Sequence, residues 1–420
     1  MATSSDRRAP AAVAVSHVQE LLDACGVGFG RIDIDRIAEA RPAWPVWPQV
    51  ALESLVGPPE RRLSSIDLRW LHRLEAVVGV VDELTARLGG PRGGPTALSL
   101  VVERAQMMGL VGGGTVSAGG ATRMVRAGDG WVAASLPRPD DLRSVDALVG
   151  RPVGDAGNDN TPWEVLRSHA SGMTVRELEL NAELLGMAVT GVAAGWDADD
   201  QRAARGTEAP VPYLVSRSRE WSVEGVPLVV DLTSLWAGPL LGWYLGRAGA
   251  HVVKIESRDR PDGARQGQPG FWRRLNATKQ VVELDMGSAV GQAELRGWVE
   301  RADIVLEASR PRAMQGFGIQ PGDHIEAGGI WCSITGYGRT GPWSNRVAFG
   351  DDAAAAGGLT TFVDGEPWFI GDATADPIAG VTATAGVLAL WNESSGGMVD
   401  VAMRDAVAHL TRGGPVESHA

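Results

Sequence analysis

One turn in the second half of the chain has the position, but not the residues, of a dinucleotide-binding loop. It reads SLWAGP (234–239) and follows the apolar run that begins at Val226. Glu256 ends the next apolar run, about 20 residues beyond the turn, where dinucleotide-binding folds place an acid that contacts ribose. The turn lacks the G-x-G-x-x-G pattern that lets a backbone approach a pyrophosphate. We therefore expect a Rossmann-like unit here without NAD binding, which argues against a nicotinamide oxidoreductase.

A second candidate is a carboxylate at the start of a predicted helix. Asp376 lies in GDATADPIAG (371–380), and the helical pattern that follows runs to Leu390. An aspartate there can cap the helix, and the positive end of the helix dipole keeps a nearby carboxylate ionised. The two roles are compatible, so the residue types alone leave a structural and a chemical reading of Asp376 open.

Alternating strand and helix patterns surround both candidates. Residues 226–257 read as strand, turn, helix, glycine break and strand, which is a βαβ unit with a right-handed crossover. Later patterns continue the alternation, with strands near Val281, Ile304 and Ile330 and in MVDVAM (398–403), and helices over 288–301 and 404–410. This alternation predicts an α/β fold with a Rossmann-like, doubly wound large domain.

The first half of the chain has mixed patterns. Apolar spacing predicts helices over 66–88, 95–110, 162–169 and 174–185. The last of them has a capping box, Thr174 with Glu177, and a stop at Gly186. An Asp129-Gly130 turn signal precedes a strand, WVAASL (131–136).

These patterns divide the chain into four segments, because the polar run over 195–224 breaks the periodicity. We expect a disordered tail over 1–14, a smaller α+β domain with a glycine-rich segment over 15–195, a linker over 196–224 and the Rossmann-like domain over 225–420.

Composition excludes several classes of function. The 420 residues include 39 Lys+Arg and 51 Asp+Glu, a formal charge of −12, which disfavours nucleic acid or an anionic membrane as the main partner. Two cysteines, Cys25 and Cys332, cannot build a disulfide framework or a zinc cluster, and we expect no metal. No apolar run reaches the roughly 18 residues of a membrane helix, and no signal peptide is evident. We expect a cytoplasmic protein.

Six stretches of the second half resemble class III CoA-transferases of the CaiB/BaiF type, in the family's own order. That family includes formyl-CoA and carnitine CoA-transferases and the α-methylacyl-CoA racemases. The stretches are VVDLTSLWAGPLLGWYLGRAGAHVVKIE (229–256), LNATKQVVELDM (275–286), ADIVLEASRPRAM (302–314), CSITGYGRTGPWSNR (332–346), GDATADPIAGVTATAGVLAL (371–390) and MVDVAMRDAV (398–407).

The resemblance implies a covalent transfer of CoA between carboxylic acids. In such enzymes an aspartate attacks an acyl-CoA thioester, giving a mixed anhydride and then an aspartyl-CoA thioester, with no permanently bound cofactor. Asp376 matches the family's nucleophile, because Gly380 follows it at the family's spacing. Asp372, four residues earlier, is the rival, but no helix begins beside it at that spacing.

The resemblance also implies a set of CoA-binding residues. Its basic members suit phosphate groups through charge-assisted hydrogen bonds, although each of them could instead be a solvated surface charge. The turn with the residues ASR (308–310) differs from the family's E-N-F-R-P pattern, because the Asn and Phe of that pattern are replaced. The set comprises Trp236, Ala237, Gly238, Pro239, Arg258, Leu275, Lys279, Ala308, Ser309 and Arg310.

Two alternatives to a transferase remain open. Racemase members pair the aspartate with a histidine, but Phe349 holds that position in AFGDD (348–352). Proton transfer at a carbon needs an acid and a base, so the racemase alternative loses one partner. The other alternative is a non-catalytic acyl-CoA-binding paralogue, favoured by the altered ASR turn and the order of the segments.

That order is rearranged relative to the family. SAGGATRMVRAGDGWVAASL (117–136) resembles the family's glycine loop and following strand, although both come later in family members. A permuted order or a decayed duplicate would explain this. The family's interlocked dimer depends on chain order, so we expect a homodimer of unspecified type. The candidate glycines of a loop over the active site are Gly112, Gly113, Gly114, Gly119 and Gly120.

Overall fold

The structure is a computed structural model, and it describes residues 18–21, 23, 51–61, 65–151, 161–192, 211–221, 223, 225–411 and 418–419. The predicted tail over 1–14, Cys25 and most of the predicted linker lie outside these residues.

The β-strands of this part of the chain lie in four sheets. In chain order they are β1 (Ser65–Ile66), β2 (Thr122–Arg126), β3 (Trp131–Ser135), β4 (Ala188–Gly191), β5 (Leu214–Glu220), β6 (Leu228–Asp231), β7 (His251–Ser257), β8 (Gln280–Leu284), β9 (Ile304–Glu307), β10 (Ile330–Thr335), β11 (Thr360–Val363), β12 (Glu366–Phe369), β13 (Ser395–Ala402) and β14 (Ser418–His419).

Short helical stretches at 18–21 and 51–53 and a 3₁₀ turn at Pro59–Arg61 precede the first long helix. The α-helices are then α1 (Arg69–Arg87), α2 (Ala97–Met108), α3 (Pro139–Arg143), α4 (Val145–Leu148), α5 (Pro162–Ala170), α6 (Val175–Leu185), α7 (Ala237–Arg247), α8 (Ala264–Gly267), α9 (Pro269–Asn276), α10 (Ala289–Arg301), α11 (Pro311–Gly316), α12 (Pro321–Glu326), α13 (Gly350–Ala356), α14 (Ala375–Asn392) and α15 (Met403–Thr411).

A seven-stranded sheet in the order β5-β13-β10-β9-β6-β7-β8 organises the second half. Every neighbouring pair is parallel except β5 with β13. After the edge strand β5, the parallel strands start in the middle at β6, fill one side with β7 and β8, and then fill the other side with β9, β10 and β13, which is the Rossmann arrangement. The predicted α/β fold is confirmed, and its ligand crevice is expected where the carboxyl ends of β6 and β9 diverge.

Helix α14 passes through the centre of the large core. It is apolar on all sides, and its residues from Pro377 to Leu390 are buried. A helix of this composition is stable only when other elements cover its whole circumference. Small residues permit that packing. A Cβ at Gly380 would lie 2.6 Å from the carbonyl oxygen of Ala237, so α14 and α7 are in backbone contact.

The smaller unit is built on the antiparallel sheet β2-β3-β4, with α5 and α6 against it. Val125, Val132, Leu166 and Leu178 belong to its hydrophobic cluster. The capping box of Thr174 and Glu177 forms as predicted, and Gly186 ends α6 in a left-handed conformation. The smaller α+β unit predicted from the sequence is therefore present.

Two features of the packing correct the predicted organisation. Helices α1 and α2, expected in the smaller domain, pack in the large core, where Trp70 and Leu100 share one cluster with Ile378. Strand β5 lies inside the expected linker and pairs with β13 as an antiparallel edge strand. The residues of β5 are mostly polar and at least partly exposed, so the hydrophobicity pattern did not indicate a strand there. The domain boundaries themselves remain predictions.

Candidate functional site

Asp376 lies in the first turn of α14, where three helix starts meet. The backbone N–H of Ala237, the first residue of α7, hydrogen-bonds to it. A Cβ at Gly350, the first residue of α13, would overlap the Asp376 Oδ2 atom. Ala373, just before the helix, has a left-handed φ of 46°. The carboxylate is thus held at helix N-termini, which favour negative charge, and depends on a glycine opposite it.

Asp372 lies beside it and is paired with a cation from the first half of the chain. Its Oδ2 accepts a hydrogen bond from Arg104 Nη1 of α2 at 2.6 Å. Its Oδ1 is buried and has no hydrogen-bond partner among the described residues. Gly119 borders this oxygen, since a Cβ there would lie 3.6 Å from Oδ1.

Two further aspartates connect this cluster to the smaller unit. Asp351 accepts hydrogen bonds from the Ala373 N–H at 2.7 Å and from the Thr122 hydroxyl at 3.1 Å. Asp352 accepts one from the Ser135 hydroxyl at 2.6 Å. Sequence reasoning missed both acids and Arg104. The AFGDD stretch was singled out only for Phe349, although its paired acids were a usable signal.

Burial dominates the electrostatics of these carboxyl groups. It raises the pKa of Asp376 to about 7, where Arg104 and the Ala237 N–H oppose the rise and Asp351 and Asp372 add to it. Burial likewise raises the pKa of Asp372 to about 6 and that of Asp352 to about 7. These groups interact, so their protons are shared and leave in steps that belong to the cluster. The cluster therefore changes charge close to neutral pH.

The turn before α7 is strained and is held by a buried ion pair. Leu235 is exposed and has a φ of 67°, which costs a branched side chain energy. Asp262 accepts a hydrogen bond from the Leu235 N–H at 3.0 Å. Lys254 pairs with Asp262 at 3.1 Å and donates to the Thr233 carbonyl at 2.7 Å. These contacts hold Trp236 and Ala237 at the crevice.

Several of the predicted CoA-binding residues lie around that crevice. Trp236, Ala237, Gly238 and Pro239 are buried at the start of α7. Trp236 packs edge-on against Phe271, with their ring centres 5.0 Å apart.

The carboxyl ends of β7 and β9, at the same edge of the sheet, carry the members of the set that are exposed or half-exposed. Arg258 is exposed just beyond β7, and Ala308 is exposed beyond β9. The Ser309 hydroxyl donates to Glu307 at 2.8 Å. Arg310 is exposed and lies against Gly186, at the end of α6 in the smaller unit.

Two members of the set are in the interior instead. Leu275 is fully buried in the large core. Lys279 is buried, its Nζ lying 2.8 Å from Asp231 Oδ2 and 2.8 Å from the Pro239 carbonyl oxygen. Neither side chain is free to contact a nucleotide in this structure, because packing and an ion pair already occupy them. Their assignment to CoA binding stays a prediction, which the burial of both side chains disfavours.

The two glycine clusters differ in position. The N–H of Gly112 donates to the Ser54 carbonyl at 2.9 Å, and a Cβ at Gly114 would lie 3.0 Å from the Trp368 ring. Residues 112–114, with Gly113 bridged to Val116, therefore form a packed turn rather than a cover over Asp376. Gly119 and Gly120 are both exposed. Gly119 borders Asp372 and Arg104, as a loop over the site would, whereas a Cβ at Gly120 would meet nothing within 4 Å.

Across the described ranges, no group of three or more His, Cys, Asp or Glu has the arrangement of a metal site. None of the helices in the described part of the chain is long and apolar enough to cross a membrane.

The fold and the site together define a Rossmann-type α/β unit with an aspartate cluster beside the start of α7, near the expected ligand crevice. Residues 224–419 match the family model described as CoA-transferase family III. The second half of the chain is therefore similar to that family over this range. The chain spans about half the length of the curated relatives it matches.

Three relatives illustrate the likeness. Succinyl-CoA–D-citramalate CoA-transferase of Chloroflexus aurantiacus is 30% identical over 198 residues, 43% of this chain and 49% of that protein. Formyl-CoA:oxalate CoA-transferase of Streptomyces avermitilis is 31% identical over 210 residues, 46% of this chain and 50% of that protein. A solved CAIB/BAIF family protein from Brucella suis is 28% identical, with a TM-score of 0.40 over 45% of this chain and 55% of that one.

Proposed function

We propose that this protein transfers CoA between carboxylic acids and that Asp376 is the covalent nucleophile. A carboxylate oxygen of Asp376 attacks the thioester carbonyl carbon, the C–S bond breaks, and CoA leaves as the thiolate. The resulting mixed anhydride is then attacked by the thiolate at the aspartyl carbonyl, which releases the first acid and gives an aspartyl-CoA thioester. Repetition of these steps in reverse with a second acid completes the exchange and conserves the thioester's energy.

The observation that supports this proposal best is the location of Asp376. It lies in the first turn of α14, against the start of α7, which follows β6 at the place where the fold is expected to have its ligand crevice. The Ala237 N–H restrains the carboxylate, and Gly350 leaves the space opposite it free of a side chain. Gly119 and Gly120 are suited to cover the intermediate and exclude the water that would hydrolyse it.

Acyl-CoA thioesters and carboxylic acids are the proposed substrates, and no bound cofactor is required. Arg258, Ser309 and Arg310, beyond the carboxyl ends of β7 and β9, are the residues proposed to contact the CoA moiety, and the two arginines suit its phosphates. The buried Trp236 is proposed to form part of the wall of the site. Phe349 has no titratable atom, which disfavours a racemase. A homodimer and a cytoplasmic location remain proposals that rest on the family resemblance and the composition.

Chemical trapping tests the covalent step directly. We expect incubation with an acyl-CoA and hydroxylamine to convert Asp376 to a hydroxamate, which peptide mass spectrometry will detect. Asp376→Ala removes the adduct, whereas Asp364→Asn, at an exposed site, leaves it unchanged. Turnover without any adduct, or an adduct on another residue, contradicts the proposed nucleophile. Binding of CoA with neither turnover nor adduct identifies the non-catalytic alternative.

The pH dependence of the reaction provides an independent prediction. Only the ionised Asp376 is nucleophilic, and its pKa is raised to about 7, so kcat/KM should rise about tenfold between pH 6 and pH 8. The measurement is the initial rate at low acyl-CoA concentration over this range. Titration of CoA binding over the same range serves as the control. A rate that stays flat from pH 6 to pH 8 contradicts the assignment.

A further inference from the structure

We infer that Arg104 and Asp372 are positioning residues that set the charge state of Asp376: Arg104 favours its ionised form and Asp372 opposes it. The inference rests on the proposed function for its kinetic meaning. Arg104 belongs to helix α2 and lies outside residues 224–419, the region that the family model matches. The reactivity of Asp376, inside that region, therefore depends on a residue from the first half of the chain.

The place of Arg104 is the first part of the argument. Its guanidinium carbon lies 5.8 Å from the ring centre of Trp236. Its Nη1 lies 2.6 Å from Asp372 Oδ2, and its Nη2 would be 3.8 Å from a Cβ on Gly119. The side chain thus contacts or borders the turn before α7, Gly119 and the acidic segment before α14. Its side chain is 26% exposed, so solvent screens its charge only in part.

Asp372 is an incompletely satisfied partner. Its side chain is 1% exposed, and only Oδ2 is hydrogen-bonded among the described residues. Ionisation of a buried carboxyl group is energetically unfavourable when one of its oxygens has no hydrogen-bond partner. The ionised form of Asp372 therefore depends on its ion pair with Arg104. Three residues separate it from Asp376, and one of them, the strained Ala373, is fixed by the hydrogen bond from its N–H to Asp351. The two carboxyl groups are therefore held in a defined relation.

The charges that face Asp376 come from each element packed against it. Helix α2 supplies Arg104, α13 supplies Asp351, the preceding turn supplies Asp372, and α7 supplies the Ala237 N–H. Arg104 is the one cation among these groups. Coulombic attraction from it stabilises the carboxylate, while the two acids stabilise the protonated form. Removing Arg104 or Asp372 must therefore move the titration of Asp376 in opposite directions.

That opposition provides the test. We expect Arg104→Met to move the acidic limb of kcat/KM to higher pH by about one unit, and Asp372→Asn to move it to lower pH by a similar amount. Arg104→Lys keeps the charge and should leave the limb near its original position. Arg92→Met removes an arginine from an exposed pair with Glu83 and is the matched control, with no shift expected.

A second readout does not require turnover. The difference in thermal stability between chains with aspartate and asparagine at position 376, followed against pH, reports the titration of Asp376 itself. Its midpoint should move upward in the Arg104→Met background and downward in the Asp372→Asn background. Shifts in one direction, or lower rates without a shift in either readout, overturn the inference. A missing hydroxamate at Asp376 combined with opposite shifts in stability would instead refute only the proposed function.

Discussion

Asp376→Asn is expected to abolish acyl transfer and, above pH 7, to make the folded protein more stable. Asparagine has nearly the same shape but no nucleophilic oxygen anion, and the site holds no substitute positioned like Asp376. Loss of a nucleophile that forms the covalent intermediate should lower kcat by at least about 10⁴-fold. The measurement is the steady-state rate of CoA exchange between two acids at pH 8.

The gain in stability follows from proton linkage. The folded-state pKa of Asp376 is raised to about 7, above the roughly 3.9 of an unfolded chain. The stabilising contribution of its proton is complete below pH 4 and is lost as the pH rises through 7. Asparagine does not carry this penalty. Because Asp376 is partly exposed and solvent reduces the penalty, we expect the free energy of unfolding of the variant at pH 8 to be about 1 to 3 kcal/mol higher than that of the parent.

Urea unfolding at pH 5 and pH 8 measures this difference, which should be the larger at pH 8. Asp364→Asn, at a side chain that is 80% exposed, is the control for removing an aspartate and should change neither rate nor stability. Near-normal turnover in the Asp376 variant would exclude the nucleophile. A less stable variant at pH 8 would instead contradict the raised pKa of this carboxyl group.

Lys279→Met is expected to destabilise the fold by about 3 to 5 kcal/mol, because it leaves one charge of a buried ion pair without its partner. Asp231 is fully buried, and Lys279 donates to both its carboxylate and the Pro239 carbonyl. That carbonyl belongs to the first turn of α7, so the start of this helix should loosen as well. The urea midpoint of the variant is the measurement.

A double variant separates charge from packing in this pair. Asp231→Asn added to Lys279→Met removes the uncompensated charge and should recover more than half of the lost stability. Arg92→Met, which breaks an exposed pair with Glu83, should cost less than about 1 kcal/mol. If Lys279→Met proves as stable as the parent and instead raises the KM for acyl-CoA, then Lys279 binds the nucleotide, as its sequence context first suggested.

Local sequence patterns were sufficient to predict most of the strands and helices of the large domain. Apolar runs alternating with helical spacing predicted the βαβ unit of β6, α7 and β7, since each element's periodicity lies within its own residues. The capping box at Thr174 was found for the same reason. Strand β5 was missed because an edge strand with one solvated face shows neither an apolar run nor a clear alternation. The packing of α1 in the large core was missed because the apolar face of a helix does not indicate which element it packs against.

The amino-acid sequence by itself determined the class of fold, the family segment and the candidate nucleophile Asp376, because these depend on short motifs and on periodicity along the chain. The tertiary structure decided the surroundings of that carboxylate. Arg104 and Asp372 are 268 residues apart, and no local pattern links them. Likewise only packing shows that Lys279 is an interior ion-pair partner rather than a surface cation. Burial and charge pairing arise when distant elements meet, so they set the pKa of Asp376 only once the chain has folded.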